Sequence, residues 1–253
     1  MPMPCPFAHP QPVSFEKQEN KMTTFVLVHG AWFGAWCWRR VAGLLEARQH
    51  RVVTPTLTGL GERSHLLDPD IDLETHILDV VNLMKWQELR DIVLVGHSYG
   101  GMVVSGAAER MEKSIASIVL LDAFFPADGQ AIIDLQPPPM RETILKLASD
   151  GLTAVPPRSA AMFNVNEADR AWVDAQCTPQ PIKCFLQPVA LTGARERIAR
   201  KTYIRAADYP SIPFDAGLSQ ARSHGWRTAE IAGGHALMLD APEPLAELLA
   251  QLT

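Results

Sequence analysis

The sequence predicts an α/β fold with a six-stranded, mostly parallel sheet flanked by helices. Six short apolar runs, rich in β-branched residues or leucine, show little alternation between apolar and polar positions. Such runs are typical of strands that are buried on both faces of a parallel sheet. Helical patterns separate several of the runs, and this alternation favours a doubly wound sheet. The length of 253 residues suits one domain of this class.

Most of the six predicted strands end in small residues or turn formers. A parallel sheet brings those ends to one edge, which is where the active sites of open α/β sheets collect. In chain order the predicted strands are Phe25–Gly30, Arg51–Leu57, Asp91–His97, Ser117–Asp122, Thr202–Ala206 and Arg227–Ala232.

Apolar residues at helical spacing, such as Val41, Leu44 and Leu45, predict helices between the strands. Asp72 is the candidate N-cap of the second of these helices. Pro242 stands near the first position of the last one, where a helix needs no N–H donor. The predicted helices are Trp38–Gln49, Leu73–Met84, Met102–Met111 and Pro242–Leu252.

The stretch from about residue 126 to 200 breaks the alternation of strands and helices. It contains Pro137–Pro139 and Pro156–Pro157, with only short helical candidates at Arg141–Ala148 and Glu167–Ala175. We therefore predict a small cap inserted between strands 4 and 5 of one domain, residues 23–253. Residues 1–22 are rich in proline, glutamine and charge and lack a secretory apolar stretch, which predicts a flexible N-terminal arm.

The composition argues against several classes of protein. Lys+Arg 23 against Asp+Glu 28 gives a net charge of −5, so a dedicated nucleic-acid binder is not expected. No apolar run of about 18 residues is present, so no transmembrane helix is expected. The 4 cysteines form no C-x-x-C pair and are interpreted as free thiols, which favours a reducing compartment and a cytoplasmic location.

The strongest functional signal is Gly96-His97-Ser98-Tyr99-Gly100, which lies directly after a strand and directly before a helical run. This context predicts a nucleophile elbow, a sharp turn that holds Ser98 in a strained conformation above the sheet edge. Small residues two positions before and after the serine allow the turn to close. The start of the helix favours negative charge near the hydroxyl.

A serine hydroxyl needs a base to remove its proton, and His235 is the best candidate of the 8 histidines. It follows the last strand through Gly233-Gly234 and precedes the final helix. That position places it at the same sheet edge as Ser98.

An oxyanion hole requires two backbone N–H groups directed at the developing negative charge. Tyr99, directly after the nucleophile, and Ala31, in the loop after the first strand, are the candidates. Trp32, Phe33 and Phe124 are the candidate substrate-binding residues.

Four segments carry a resemblance to a known family. FVLVHGAWFGAWCW, LTGLGERSHL, VLVGHSYGGMVV and AGGHALMLDAP resemble the α/β-hydrolase superfamily, and more closely its branch of plant methyl-ester esterases, hydroxynitrile lyases and bacterial esterase relatives. The resemblance covers roughly residues 23–253. It implies an α/β-hydrolase fold with six parallel strands, a Ser-His-Asp triad, no metal or other cofactor, and often a homodimer.

The acid of the triad has two candidates. In the family it usually follows the fifth strand, where Asp208 lies one residue before the position of best alignment, which Tyr209 occupies. Some lipases of the superfamily place it after the fourth strand, where Asp122 stands. A carboxylate at the end of an apolar strand is costly unless it is paired, which slightly favours Asp122. Asp208 in a proline-flanked loop needs no explanation beyond turn formation.

The expected function is hydrolysis of an aryl or medium apolar carboxylic ester, a small-molecule substrate, without nucleic-acid or membrane partners. Three alternatives remain. A hydroxynitrile lyase of the branch would have a lysine where Ala236 stands and a threonine where Gly30 stands. The others are a ligand-binding receptor and a cofactor-free dioxygenase or C–C hydrolase on the same fold.

Overall fold

A computed structural model describes residues 22–252, so the arm predicted for residues 1–22 lies outside the described residues except for Met22. The described part contains a six-stranded sheet and, within the inserted segment, a two-stranded one. The strands are β1 (Thr24–Val28), β2 (Arg51–Val53), β3 (Ile92–His97), β4 (Ile115–Leu121), β5 (Ala154–Val155), β6 (Gln180–Pro181), β7 (Arg200–Ala206) and β8 (Arg227–Ile231).

The main sheet has the order β2-β1-β3-β4-β7-β8, and every neighbouring pair is parallel. The predicted six-stranded α/β class is therefore confirmed. The chain first adds β2 on one side of β1 and then crosses to β3 on the other side. This reversal between β1 and β3 is the topological switch point, beside which open α/β sheets bind their ligands.

Helices cover both faces of the main sheet. In chain order the helices of the described part, including those of the inserted segment, are α1 (Arg39–Glu46), α2 (Leu73–Trp86), α3 (Gly100–Met111), α4 (Ile132–Leu135), α5 (Pro138–Ser149), α6 (Glu167–Gln176), α7 (Lys183–Leu186), α8 (Ala194–Arg197), α9 (Ile212–Ser223), α10 (Leu237–Asp240) and α11 (Pro242–Ala250). Short 3-10 segments lie at Ala35–Trp38, Gly61–Leu66, Glu112–Ser114 and Ala160–Phe163.

The core consists of two apolar layers, one on each face of the sheet. Alternate strand residues point to opposite faces, so Val26 and Leu94 pack in the layer of α2, α3 and α9, whereas Phe25 and Val95 pack in that of α1, α10 and α11. Because both faces are covered, the strands need no polar alternation. The low alternation in the sequence has this physical cause.

Several element boundaries differ from those expected. The strand predicted at Arg51–Leu57 ends at Val53, because β2 is an edge strand and Pro55 cannot donate to a ladder. Helix α9 has no predicted counterpart. Gly217 weakens its helical pattern, yet a Cβ atom there would lie 2.7 Å from Tyr203 Oη, so tight packing requires the glycine. Asp72 caps α2 as predicted, accepting the Thr75 N–H at 2.9 Å.

The segment between β4 and β7 carries α4 to α8 and the β5–β6 pair. Trp32, in the loop after β1, connects this segment to the sheet. Its indole N–H donates to the Val155 carbonyl at 3.1 Å, and its carbonyl accepts from the Thr178 amide at 2.9 Å. Among residues 22–252, no helix has both the length and the apolar character needed to cross a membrane.

Histidine 29 is fully buried at the end of β1 and neutral. One ring nitrogen contacts the Gly30 carbonyl at 2.8 Å and the other accepts the Leu57 N–H at 3.1 Å. Burial lowers the pKa of His29 to about 4. Burial also lowers the pKa of His76 and, together with the neighbouring His235, that of His97. In the native chain these imidazoles resist protonation.

We expect the free energy of unfolding to fall as the pH drops from 6.5 toward about 4, because the unfolded chain binds protons there that buried His29 does not. His29 contributes its full stabilisation above pH 6.5, and this stabilisation is lost as the pH falls to about 4. For this residue the loss is about 3 kcal/mol. Urea unfolding at stepped pH measures it.

The variant His29→Asn separates this effect from general acid denaturation. It should lose less stability than the unsubstituted chain over the same pH interval, whereas His65→Asn, at an exposed position, should follow the unsubstituted chain. If the free energy of unfolding falls equally with pH in all three proteins, His29 is not the source of the acid-dependent loss of stability.

Candidate active site

Serine 98 stands in a sharp turn between β3 and α3. Its φ is 55°, in the left-handed region that costs a non-glycine residue free energy. The turn closes only with glycines beside it. A Cβ atom at Gly96 would lie 2.5 Å from the Gly100 carbonyl oxygen, and one at Gly100 would lie 2.8 Å from the Val28 carbonyl oxygen. The turn therefore has the form that the sequence predicts for an elbow.

Backbone hydrogen bonds connect the turn to the end of β4. The Ser98 N–H donates to the Leu121 carbonyl at 3.2 Å, and the Ser98 carbonyl accepts from the Phe124 amide at 3.2 Å. Ser98 itself is half-buried and lines a cavity at the carboxyl edge of the sheet. The hydroxyl therefore stands on a rigid support with access to a ligand.

His235 lines the same cavity and is held from several sides. Its backbone N–H donates to the Phe163 carbonyl at 2.9 Å, and its carbonyl accepts from His97 Nε2 at 3.0 Å. Its ring stacks on Phe214 with centroids 4.9 Å apart. Its Nδ1 donates to Asp122 Oδ2 at 2.6 Å, which leaves Nε2 available as a proton acceptor.

Asp122 follows β4 directly and is fully buried, with a φ of 41°. The oxygen not used by His235, Oδ1, accepts from Arg205 Nη1 at 2.6 Å and from the Ala206 amide at 3.1 Å. Burial of Arg205 opposes its charge, but Asp122 and Asp215 outweigh burial and raise the pKa of Arg205. Both carboxylate oxygens thus have charged or N–H partners, which a buried carboxylate requires.

Asp208, the other candidate acid, is exposed and does not contact His235. Its Oδ2 accepts the Gly233 amide at 2.8 Å, and its own amide donates to the Gly233 carbonyl at 3.1 Å. It closes the loops after β7 and β8, a structural role. The next residue, Tyr209, stacks on the His235 ring with centroids 4.9 Å apart. The structure thus brings Asp122, and not Asp208, to the histidine.

The two candidate oxyanion-hole residues, Ala31 and Tyr99, both line the cavity. Within residues 22–252 neither of their amides donates to a protein acceptor. The neighbouring Trp32 amide is already used, because it donates to Gln180 Oε1 at 3.2 Å. Ala31 and Tyr99 therefore remain the amides that can face a developing oxyanion.

Arginine 205 and Gln180 have structural roles that the sequence did not reveal. Arg205 could have been noticed, since a charged residue near the end of a buried strand must have a partner. Gln180 is fully buried and bonds to a loop 148 residues away in the chain, for which no sequence signal exists.

The cavity has apolar, largely aromatic walls. Its empty volume is about 580 Å³, including the solvent-open entrance. Of the candidate substrate-binding residues, Trp32 and Phe124 line the cavity. Phe33 does not, which corrects the prediction: it is buried in the core against Trp36 and His97. The other lining residues are Gln136, Met140, Ile144, Val155, Arg158, Phe163, Phe185, Tyr209, Ser211, Pro213 and Phe214.

The described part of the chain offers neither a metal site nor a cysteine thiolate in place of Ser98. Among residues 22–252 no group of three or more His, Cys, Asp or Glu side chains is arranged to hold a metal ion. Burial raises the pKa of Cys177 and of Cys184 to about 12, so both are thiols rather than thiolates at neutral pH. Ser98 is thus the better nucleophile candidate.

Comparison with known proteins places these features in a family context. The model of the alpha/beta hydrolase family matches residues 25–248. The chain is 40% identical to the carbendazim hydrolyzing esterase of Nocardioides sp. (strain SG-4G), over 91% of this chain and 100% of the relative. It is 26% identical to putative methylesterase 14, chloroplastic, of Arabidopsis thaliana, over 98% of this chain and 76% of the relative.

Solved structures show the same architecture. An extracellular alpha/beta-hydrolase from a Paenibacillus species, described as sharing structural and functional homology with tobacco salicylic acid binding protein 2, superposes with a TM-score of 0.81 at 26% identity, covering 91% of this chain and 98% of that one. The pyrethroid hydrolase PytH superposes with a TM-score of 0.69 at 26% identity, covering 91% and 97%.

Proposed function

The chain belongs to the alpha/beta hydrolase family, and we propose that it is a serine esterase that hydrolyses carboxylic esters through an acyl-enzyme on Ser98. The observation that carries the proposal is the 2.6 Å bond between His235 Nδ1 and the buried carboxylate of Asp122, in the cavity that the elbow serine lines. The relatives named as esterases and methylesterases support it.

The proposed reaction begins when His235 Nε2 accepts the proton of the Ser98 hydroxyl and Ser98 Oγ attacks the ester carbonyl carbon. The Ala31 and Tyr99 amides stabilise the oxyanion. The alcohol leaves with the proton from His235, and a water molecule activated by the same imidazole then releases the acid from Ser98. Asp122 keeps the proton on Nδ1 and stabilises the imidazolium.

The proposed substrates are aryl esters or medium-sized apolar esters, because the cavity walls are mainly aromatic and aliphatic. A p-nitrophenyl ester series of increasing acyl length, beside methyl esters of aromatic acids, tests this. Carbendazim, a methyl carbamate of an aromatic ring, is included because the Nocardioides relative is named for hydrolysing it. Failure to hydrolyse any of these compounds faster than buffer would contradict the proposal.

Hydroxynitrile lyase activity is not expected. A Cβ atom at Gly30 would lie 2.9 Å from both His97 Nδ1 and Ser98 Cβ, so a threonine does not fit at this position. Ala236 stands where the lyases resembled in sequence have a lysine. We expect cyanide release from mandelonitrile no faster than the background rate. Rapid cleavage that Ser98→Ala abolishes would establish lyase chemistry without the lysine.

The same assays distinguish the remaining alternatives. A receptor would bind esters without turnover. A cofactor-free dioxygenase would consume O₂ in proportion to product, and a C–C hydrolase would cleave a diketone in preference to an ester. The proposal requires ester hydrolysis that proceeds equally with and without O₂.

A further inference from the structure

Arg158, in the inserted segment, lines the catalytic cavity. Apart from the titratable His235, it is the one charged side chain among the described lining residues. It is half-buried, and its guanidinium carbon lies 6.0 Å from the centroid of the Phe163 ring. Within residues 22–252 no carboxylate forms an ion pair with it, whereas most of the ion-paired arginines lie at the surface.

Among the described residues that line the cavity, no carboxylate compensates the charge of Arg158. The buried carboxylate nearest the reaction centre, Asp122, bonds to Arg205 and His235. The phenol of Tyr209 is also close to Arg158: burial raises its pKa and the positive charge of Arg158 opposes this rise. An unpaired guanidinium in a partly desolvated aromatic cavity attracts an anion more strongly than one in water does.

The geometry limits where that anion can be. The Phe163 ring lies close to both groups: its centroid is 6.0 Å from the Arg158 guanidinium carbon and 5.6 Å from the centroid of the His235 ring. The guanidinium and the catalytic imidazole therefore pack against the same phenyl ring. A flat ligand with its ester at Ser98 would extend along the aromatic walls and present its far end to Arg158.

We infer that Arg158 recognises a carboxylate on the substrate, so that the chain prefers aromatic half-esters, in which a ring carries both the scissile ester and a remote carboxylate. This inference rests on the proposed esterase function. The planar guanidinium can donate two parallel hydrogen bonds to a carboxylate, which gives orientation as well as affinity. Arg158 is thus a specificity-determining residue for the ester that Ser98 attacks.

Monomethyl terephthalate and methyl 4-carbamoylbenzoate, which differ only in carboxylate against carboxamide, are the probes. The ratio of kcat/KM for the first to that for the second should fall about tenfold in Arg158→Met, mainly through KM. Arg158→Lys should retain part of the preference. Arg222→Met, which removes an exposed arginine paired with Glu230 outside the cavity, should leave the ratio unchanged.

Equilibrium binding makes the test independent of turnover. Monomethyl terephthalate should bind the Ser98→Ala protein more tightly than Ser98→Ala/Arg158→Met in calorimetry. Arg158-dependent binding without hydrolysis in the unsubstituted chain would support the anion site and contradict the esterase. An unchanged kcat/KM ratio together with equal binding would overturn the inference, while hydrolysis of the neutral ester would leave the esterase proposal intact.

Discussion

Ser98→Ala is expected to lower kcat for ester hydrolysis by a factor on the order of 10³ or more without unfolding the chain. The loss follows because no other described nucleophile replaces the hydroxyl: Cys177 and Cys184 remain thiols, since burial raises their pKa to about 12. Steady-state kinetics on a p-nitrophenyl ester, with melting temperature as the check on folding, measure the effect.

A second serine in the cavity wall provides the matched control. Ser211 lines the same cavity but lies in the loop before α9, away from the elbow, so Ser211→Ala should change kcat far less. A serine-directed phosphonate should add mass at Ser98 alone. Full activity of Ser98→Ala, or labelling elsewhere, would contradict the nucleophile assignment.

His235→Ala should lower kcat about as much as Ser98→Ala, and the double variant should lower it little further. The reason is that a base without its nucleophile, or a nucleophile without its base, is inactive. Only the oxyanion hole and substrate binding then accelerate the reaction. Strictly multiplicative losses in the double variant would argue that the two residues do not act as one unit.

Asp122→Asn is expected to lower kcat by a factor of about 10² to 10⁴, whereas Asp208→Asn should leave kcat nearly unchanged. The amide at position 122 no longer stabilises an imidazolium and favours the wrong tautomer of His235. Asp208 accepts only a loop amide, and its replacement should cost about 1 kcal/mol of stability at most. Measuring kcat and melting temperature for both variants separates catalysis from folding.

The melting temperature matters particularly for Asp122→Asn. Arg205 would lose its buried counter-charge and keep only its pair with the exposed carboxylate of Asp215, so this variant should also lose stability. Activity is therefore normalised to the folded fraction. An inactive Asp208→Asn beside an active, merely destabilised Asp122→Asn would show that the acid follows β7.

The sharp turn at Ser98 was predictable because its geometry depends on consecutive residues. A buried strand, glycines two positions before and after Ser98 and an immediate helix leave little choice of backbone path. His235 was predictable for a related reason. It follows the last strand, and parallel strands end at one edge, so its distance in sequence from Ser98 did not matter.

The local sequence pattern does not predict which of two neighbouring aromatic residues faces the cavity. Trp32 and Phe33 are both large and apolar, yet Trp32 lines the cavity and Phe33 lies in the core. Trp32 has a φ of 65°, a left-handed turn that sets which of the two side chains faces the ligand. Hydrogen bonds from the inserted segment to Trp32 hold that turn, and residue types alone do not specify them.

By itself the sequence determined the parallel sheet, the strand–helix alternation, the sharp turn at Ser98 and the position of His235 at the same sheet edge. Each of these follows from interactions between residues close in the chain or from the common edge of parallel strands. Only the tertiary structure decided which carboxylate orients His235. That contact spans 113 residues, and the Arg205 contact that makes burial of Asp122 tolerable spans 83. Such pairs form only when the strand ends meet at one edge of the folded sheet. The apolar strand before Asp122 indicated that its carboxylate needs partners, but it did not indicate which residues supply them.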